Sequence, residues 1–227
     1  MMPQCLSLIP SLPALSAAVI GMLALYGHRD ERLIARLAAW GSGGASVIAL
    51  SLWAYVLLTP SAATVHHYMN WLSSGKLSLT LSLTAQPFNL GLATLFSTII
   101  FLVTRFSVNY LHREAGFARF FFFLNLFSAA MTLLVLSANA VFTFVAWELA
   151  GLCSYALIAY AYDRPLAALN AVRVFVTNRI GDMGFLLAIV LSLSWLESAD
   201  WAVINEGVGE LERGDGLLLA LCFALAA

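Results

Sequence analysis

Glu148 is the residue of this sequence most suited to chemistry, because it is a carboxylate inside an otherwise apolar stretch. No other charged residue lies between Val141 and Tyr162, and the positions one helical turn away (144, 145, 151 and 152) are uncharged. An ionisable side chain at the centre of a membrane helix costs about 2.5–3.5 kcal/mol on insertion scales, so it persists when paired or when it lines a polar path. We therefore expect Glu148 to find a partner on another helix or to hold a proton. The alternative is a structural glutamate hydrogen-bonded to backbone or water.

A second group of ionisable residues lies in the next apolar stretch, which reads AVRVFVTNRIGDMGF. Arg179 and Asp182 are three residues apart, so on a helix they share a face and can pair. Arg173 lies six residues before Arg179, on a different side and nearer the helix start, and Thr177 and Asn178 add a hydroxyl and an amide. An Arg–Asp pair of this spacing is often only a stabilising ion pair. Four ionisable residues on two successive helices nevertheless indicate a proton path through bound water.

The composition indicates that these residues belong to an integral membrane protein. Of the 227 residues, 62% are hydrophobic and 10% are charged, whereas a soluble domain is about half apolar and a quarter charged. A net charge of −1 provides no basic field for nucleic acid. Cys5, Cys153 and Cys222 have neither metal-ligand nor disulfide spacing. We expect a chain in the lipid bilayer with no metal, no cofactor and no nucleic acid partner.

Hydrophobic stretches predict an all-α, polytopic bundle of six transmembrane helices and the start of a seventh. The first stretch lacks the Lys or Arg of a signal peptide, so we expect it to be a membrane span. Between the second and third spans, KLSLTLSLT (76–84) alternates apolar and polar residues, which is the period of a half-buried strand. It predicts a short surface β-hairpin near 70–86. The six spans cover about 6–27, 36–58, 87–108, 117–137, 140–161 and 168–196, and the seventh begins near Leu217.

Basic residues are concentrated in alternate loops, which predicts an orientation. By the positive-inside rule the odd-numbered loops lie in the cytoplasm, which puts the N-terminus outside a bacterial inner membrane. The odd loops hold Arg29, Arg32, Arg36, Arg105, Arg113, Arg119 and Arg164, whereas the even loops hold only Lys76 and Arg213.

The glycine-rich segment GSGG (41–44) lies inside a predicted helix and follows no strand. A phosphate-binding loop needs a strand before it and a helix after it, so this context argues against nucleotide binding. Small residues inside a membrane helix allow a neighbouring helix to approach closely. We therefore interpret the segment as a helix-packing surface.

Three segments between about 109 and 190 carry a resemblance to a known family. They read LHREAGFARFFFFLNLFSAAMTLLVLSAN, FVAWELAGLCSYALIAY and VRVFVTNRIGDMGFLLAI. In this order they resemble the antiporter-like subunit 5 of proton-pumping NADH:quinone oxidoreductase (respiratory complex I), N-terminal portion only. The resemblance implies two segments. Residues 1–108 hold helices 1–3 with the hairpin, and 109–227 hold a truncated first antiporter-like half-bundle with helices 4–7.

The resemblance also implies roles for individual residues. Glu148 matches a proton-channel glutamate, and Arg179 and Asp182 match a pair linked to function and assembly. Arg173 falls where relatives often have a lysine. The matching blocks supply a supporting set, and Gly151 in it would let another helix approach closely. That set is Trp147, Gly151, Ser154, Thr177 and Asn178.

The sequence departs from the family pattern in two places. Relatives usually have an Asp at the start of the third helix, where Gln86 and Asn89 stand here, and often a His where Thr104 stands. Relatives are also longer, and pair the fifth-helix glutamate with a lysine on the seventh helix that lies beyond this sequence. With no flavin, nicotinamide or iron–sulfur motif, we expect no redox chemistry in this chain.

Three functions stay open at the level of sequence. The chain is a proton-translocating membrane subunit of a complex I-like oxidoreductase, with other membrane subunits as partners. Alternatively, it belongs to a multisubunit Na⁺/H⁺ antiporter or to an inorganic-carbon uptake system. A third reading is a truncated, non-functional fragment.

Overall fold

Apolar helices make up most of the computed structural model, which describes residues 2–27, 30–74 and 77–226. Within these ranges, six helices are long and apolar enough to cross a membrane, which confirms the predicted polytopic bundle. A short helix and a fourteen-residue helix follow them. In chain order the elements are α1 (Met2–Leu25), α2 (Glu31–Leu58), β1 (Val65–Ser74), β2 (Leu77–Thr84), α3 (Pro87–Tyr110), α4 (Phe117–Leu136), α5 (Ala140–Ile158), α6 (Pro165–Leu196), α7 (Trp201–Gly207) and α8 (Arg213–Ala226).

Local capping explains where several helices begin. The Asp30 side chain accepts hydrogen bonds from the backbone N–H groups of Arg32 and Leu33, so α2 begins five residues before the predicted span. Pro165 opens α6, as proline does where no intrahelical donor is needed. Residues 197–216, which lie between the sixth and seventh predicted spans, contain α7 and the first turn of α8.

Helix α4 (Phe117–Leu136) occupies the centre of the first four helices. Phe121 is fully buried and packs with Ile20 of α1, Ile34 of α2 and Ile100 of α3 in one apolar cluster. Helix α4 also lies against α5. The division of the chain at residue 108 stays a prediction, since α4 shares its core with the helices that precede that point.

The segment GSGG packs closely against neighbouring helices, in agreement with the sequence interpretation. A methyl group on Gly41 would lie 2.5 Å from Cβ of Ser16 and 3.0 Å from Oδ1 of Asn125. One on Gly43 would lie 2.9 Å from the ring of Phe101. Helices α1, α3 and α4 therefore each approach this part of α2.

Replacing Gly41 by alanine is expected to destabilise the bundle by about 1–3 kcal/mol, the usual cost of overpacking a core. Ser16 Cβ and Asn125 sit on two other helices, so their backbones must shift to admit the methyl group. Gly151→Ala is the matched control, because a methyl group there meets no described atom within 4 Å. The measurement is the unfolding midpoint in a detergent titration. Equal midpoints for the two variants would contradict the packing described for α2.

The β-hairpin forms where the alternating pattern predicts a strand. Strand β2 (Leu77–Thr84) pairs antiparallel with β1 (Val65–Ser74), with Val65 opposite Thr84, and Leu83 is buried against the helix ends. Lys76, which begins the predicted strand, lies outside the described residues. The hairpin begins earlier than the predicted residue 70, because β1 starts at Val65 and includes His66 and His67.

The even-numbered loops meet on one side of the bundle, here called the hairpin face. It consists of the hairpin, residues 137–139 and residues 197–200. The backbone N–H of Ala138 donates to the carbonyl of Ser82 at 3.0 Å, and that of Ala140 donates to the carbonyl of Ala199 at 2.8 Å. The Asn139 side chain donates to Asp200 at 2.9 Å. These bonds fix the hairpin face to the starts of α5 and α7.

The odd-numbered loops meet on the opposite face. Nδ1 of His112 lies 2.7 Å from Oε2 of Glu31, which joins the loop after α3 to the start of α2. Arg119 donates to the carbonyl of Tyr160 at 2.7 Å, which joins α4 to the end of the fifth span. The alternation of the loops thus agrees with the predicted topology. Arg29, one of the residues used to orient the chain, lies outside the described residues.

Candidate functional site in the membrane helices

Glu148 and Arg179 form a bidentate (two-point) ion pair between α5 and α6. One guanidinium nitrogen of Arg179 donates to Oε1 of Glu148 at 2.8 Å, and a second lies 2.5 Å from Oε2. The planar guanidinium matches the two carboxylate oxygens, so this geometry is stronger and more directional than a single contact. Glu148 therefore has a partner on another helix, which is one of the two alternatives that its sequence context left open.

Asp182 extends this pair on the other side of the arginine. Its Oδ2 lies 3.0 Å from Nε of Arg179 in the predicted i,i+3 pair. Neither atom makes a hydrogen bond, so the contact is an electrostatic one. The other carboxylate oxygen, Oδ1, accepts a hydrogen bond from the indole N–H of Trp147 at 2.8 Å. Trp147, Glu148, Arg179 and Asp182 are called the polar cluster below.

The polar cluster contains more acidic groups than basic ones. It contains two carboxyl groups and one guanidinium, so one carboxyl is not balanced within it. The side chain of Asp182 is only 5% exposed, whereas those of Glu148 and Arg179 are 27% and 37% exposed. Within the described residues, Glu148 and Arg179 thus form the more exposed end of the cluster, and Asp182 forms its buried end.

Aromatic side chains hold the polar cluster in place. The Arg179 guanidinium lies 4.8 Å from the centre of the Phe175 ring, one turn earlier on α6, in a cation–π contact. The Phe175 ring packs against Tyr155 of α5 at 5.3 Å. The Trp147 ring packs against Phe185 of α6 at 6.2 Å. Both helices therefore contribute rings above and below the charges, which restricts how the two helices rotate.

The structure separates the other predicted site residues from this cluster. Arg173, Thr177 and Asn178 lie on an exposed side of α6, where the Thr177 hydroxyl donates to the carbonyl of Arg173 at 3.0 Å. The structure does not bring them to Arg179, because they lie on a side of α6 that does not face α5, and their predicted roles stay predictions. No described atom lies within 4 Å of a methyl group placed on Gly151, so the close helix approach that this glycine allows also stays a prediction. Ser154 is partly buried.

Sequence reasoning missed three side-chain contacts of the polar cluster. Arg179 was assigned only to Asp182, although its five donors in a fixed fork allow it to bind a second carboxylate. The Trp147 indole was also overlooked as a ligand of Asp182, although a buried indole N–H usually has an acceptor. The contact between Phe175 and Arg179 was also not predicted, although the two residues lie four apart and so share a helix face.

No metal centre accompanies these residues in the part of the chain that is described. No group of three or more His, Cys, Asp or Glu side chains there is placed to hold a metal ion. Those same ranges show Cys153 and Cys222 as free, buried thiols.

Two family models match this chain. Residues 71–121 match the N-terminus of chain 5 of NADH-ubiquinone oxidoreductase (complex I). Residues 137–226 match the transmembrane region of the NADH:quinone oxidoreductase/Mrp antiporter family. Together the two matches cover more than half of the chain, and the second includes the whole polar cluster.

Relatives of known sequence or structure agree with these matches. The chloroplast NAD(P)H-quinone oxidoreductase subunit 5 of Zygnema circumcarinatum is 33% identical over 232 residues, covering 98% of this chain and 32% of the relative. A chain of the Mrp complex from a Dietzia species is 25% identical with a TM-score of 0.78, covering 99% of this chain and 23% of that one.

A third relative shows the fold alone. A chain of the archaeal membrane-bound sulfane sulfur reductase, a respiratory membrane complex, has a TM-score of 0.79 at 18% identity, covering 98% of this chain and 44% of that one. The present chain spans only 26–32% of the length of the curated relatives that it matches. It belongs to the antiporter-like membrane-subunit family of NADH:quinone oxidoreductases and Mrp antiporters, and corresponds to the N-terminal portion of subunit 5.

Proposed function

We propose that this chain is part of a proton-translocating membrane subunit in a complex I-like NADH:quinone oxidoreductase. The observation that supports it is a single guanidinium, that of Arg179, held between carboxyl groups of two apolar helices. Ionisable residues at membrane depth generally mark ion pathways. Because one carboxyl of the polar cluster lacks a balancing positive charge, the cluster has a site where a proton can bind.

The geometry suggests how proton binding changes the cluster. A proton on Glu148 removes the charge that holds two nitrogens of Arg179, so among the described residues the guanidinium keeps Asp182 as its charged partner. Loss of that proton restores the two-point pair. Arg179 thus has two arrangements, and Trp147 keeps Asp182 in place in both by its indole hydrogen bond. In this proposal NADH and quinone react on partner subunits, and this chain carries no cofactor.

A subunit of an Mrp-type cation/proton antiporter is the second candidate. It is favoured by the family model that names the Mrp antiporter and by the similarity to the Dietzia Mrp complex. The same polar cluster serves either assembly, because proton binding on Glu148 does not depend on which reaction drives it. In both cases the partners are other membrane subunits.

Inverted membrane vesicles that contain the native assembly distinguish the two candidates. NADH acidifies the vesicle interior if the chain serves an oxidoreductase, and an inhibitor of quinone reduction stops the acidification. An antiporter instead dissipates an existing pH gradient when sodium is added, and NADH has no effect that depends on this chain. An assembly in which neither response depends on this chain would rule out both proposals.

We further propose that the chain lies in a bacterial inner membrane with the hairpin face outside. The basic residues of the opposite face support this orientation by the positive-inside rule. A reporter fused within residues 197–216 is expected to behave as an external one, so alkaline phosphatase is active there and green fluorescent protein is dark. Fusions at 163–164 are the matched control and give the reverse pattern. Cytoplasmic behaviour of the 197–216 fusion would invert the orientation.

A further inference from the structure

A cavity of about 660 Å³, lined by both polar and apolar side chains, opens on the hairpin face. Its lining includes His67 and Ser82 of the hairpin, Gln86 before α3, and Asp200 and Asn205 around α7. Nδ1 of His67 lies 2.9 Å from the Ser82 hydroxyl, so the hairpin presents a polar wall. A water molecule takes about 30 Å³ in the liquid, so a cavity of this size, with several polar groups in its wall, has room for a water cluster. This cavity is called the vestibule.

A second cavity of about 470 Å³, called the inner chamber, lies between α5, α6, α7 and α8. Its lining is mostly apolar and includes Phe185, Leu219 and Phe223. Trp147 also lines it, and the indole N–H of Trp147 donates to Asp182 at 2.8 Å. This inner chamber therefore ends at the polar cluster.

Trp201 and Asn205, one turn apart on α7, line both cavities. The Trp201 indole N–H donates to the Thr143 hydroxyl at 3.0 Å on the vestibule side. Its ring packs against Phe223 at 5.2 Å on the chamber side. The Asn205 side chain is exposed, and its amide is therefore available to water. Trp201 and Asn205 thus form a wall that the vestibule and the inner chamber share.

We propose that Trp201 and Asn205 form a gate through which water, and protons carried on it, pass between the vestibule and the polar cluster. This inference rests on the proposed proton-translocating function and names the route by which protons reach it. Rotation of the Trp201 ring breaks one hydrogen bond to Thr143 and opens the chamber. Asn205 supplies a donor and an acceptor to water at the narrow point. Helix α7 positions both residues, because its start is bonded to residue 138, with Trp201 N–H donating to that carbonyl at 3.1 Å.

Cysteine modification in the native assembly tests the gate. In a background where Cys5, Cys153 and Cys222 are replaced by alanine, Asn205→Cys is compared with Glu206→Cys. Both positions are exposed on α7, but Glu206 lines neither cavity. A membrane-impermeant, positively charged methanethiosulfonate is applied to right-side-out and to inverted vesicles. We expect the reagent to label both cysteines from the hairpin face. We expect labelling to reduce proton movement to background only in the Asn205→Cys variant. Unchanged proton movement after labelling, or equal loss with Glu206→Cys, would overturn the gate.

A second measurement does not depend on proton movement. Leu219 is 1% exposed and lines the inner chamber, so Leu219→Cys reports on access to it. Trp201→Ala is expected to increase the rate at which a small hydrophilic reagent labels Leu219→Cys from the hairpin face several-fold. Trp201→Phe keeps the ring and is expected to leave that rate close to the parent. Equal rates in the two variants would exclude a gate at Trp201. If Glu148→Gln leaves proton movement intact while this rate difference is found, the proposed function fails and the water route stands.

Discussion

Membranes that express Arg179→Met are expected to contain a subunit destabilised by about 3 kcal/mol, the lower end of the cost of breaking a buried ion pair. Methionine fills the space of the arginine stem but leaves two carboxyl groups without a cation. The lower end applies because the side chains of Glu148 and Arg179 are 27% and 37% exposed, so an unpaired charge at this position is not fully desolvated. The measurement is the unfolding midpoint in a detergent titration, together with the amount of assembled complex.

The matched controls separate charge from packing. Glu148→Gln, Arg179→Met and Asp182→Asn in one chain remove all three charges, and we expect this triple variant to recover most of the lost stability. Thr177→Val changes the exposed side of the same helix and is expected to shift the unfolding free energy by less than about 0.5 kcal/mol. An Arg179→Met subunit as stable as the parent would mean that the ion pairs of α5 and α6 do not hold these helices together.

Glu148→Gln is expected to abolish proton movement while the complex still assembles. Glutamine has nearly the shape of glutamate, and its carbonyl oxygen still accepts a hydrogen bond from Arg179. It cannot bind and release a proton, so the two arrangements of the guanidinium no longer depend on protonation. The initial rate of acidification in inverted vesicles, per assembled complex, is expected to fall to the rate of vesicles without the complex.

Two companion variants make that result specific. Glu148→Asp keeps a titratable carboxyl but shortens it, so one contact with Arg179 is lost and part of the rate is expected to remain. Thr177→Val changes a residue on the exposed side of α6, away from the polar cluster, and is expected to keep the parental rate. If Glu148→Gln acidifies vesicles as fast as the parent, the proton does not pass through this carboxyl.

Local patterns were sufficient for most of the fold. Uninterrupted apolar stretches have one stable solution in a bilayer, the helix, and so the six spans followed from hydropathy alone. The alternation in 77–84 predicted β2 because that pattern matches the two faces of a strand. The start of strand β1 was misplaced: the predicted hairpin began near residue 70, because His66, His67 and Asn70 interrupt the apolar residues of this strand, which begins at Val65. Helix α7 was missed because seven residues are too few to show a period.

The candidate site was less accessible to sequence reasoning. The cost of burying Glu148 singled it out, and the i,i+3 spacing predicted the pair of Arg179 with Asp182. The contact between Glu148 and Arg179 depends on how α5 and α6 rotate about their axes, and the spacing of residues along one helix does not fix this rotation. For the same reason the sequence did not show which side of α6 faces α5, and the structure leaves Arg173 and Thr177 on an exposed side.

Infrared difference spectroscopy of the carboxyl groups tests most directly whether Glu148 itself takes up and releases the proton. The native assembly is driven by its substrate, and the absorption of protonated carboxyl groups is recorded in the parent, Glu148→Gln and Thr177→Val. The parent and Thr177→Val are expected to show a carboxyl band that changes with turnover, and Glu148→Gln is expected to lose that band. An unchanged band in Glu148→Gln would contradict a proton path through Glu148.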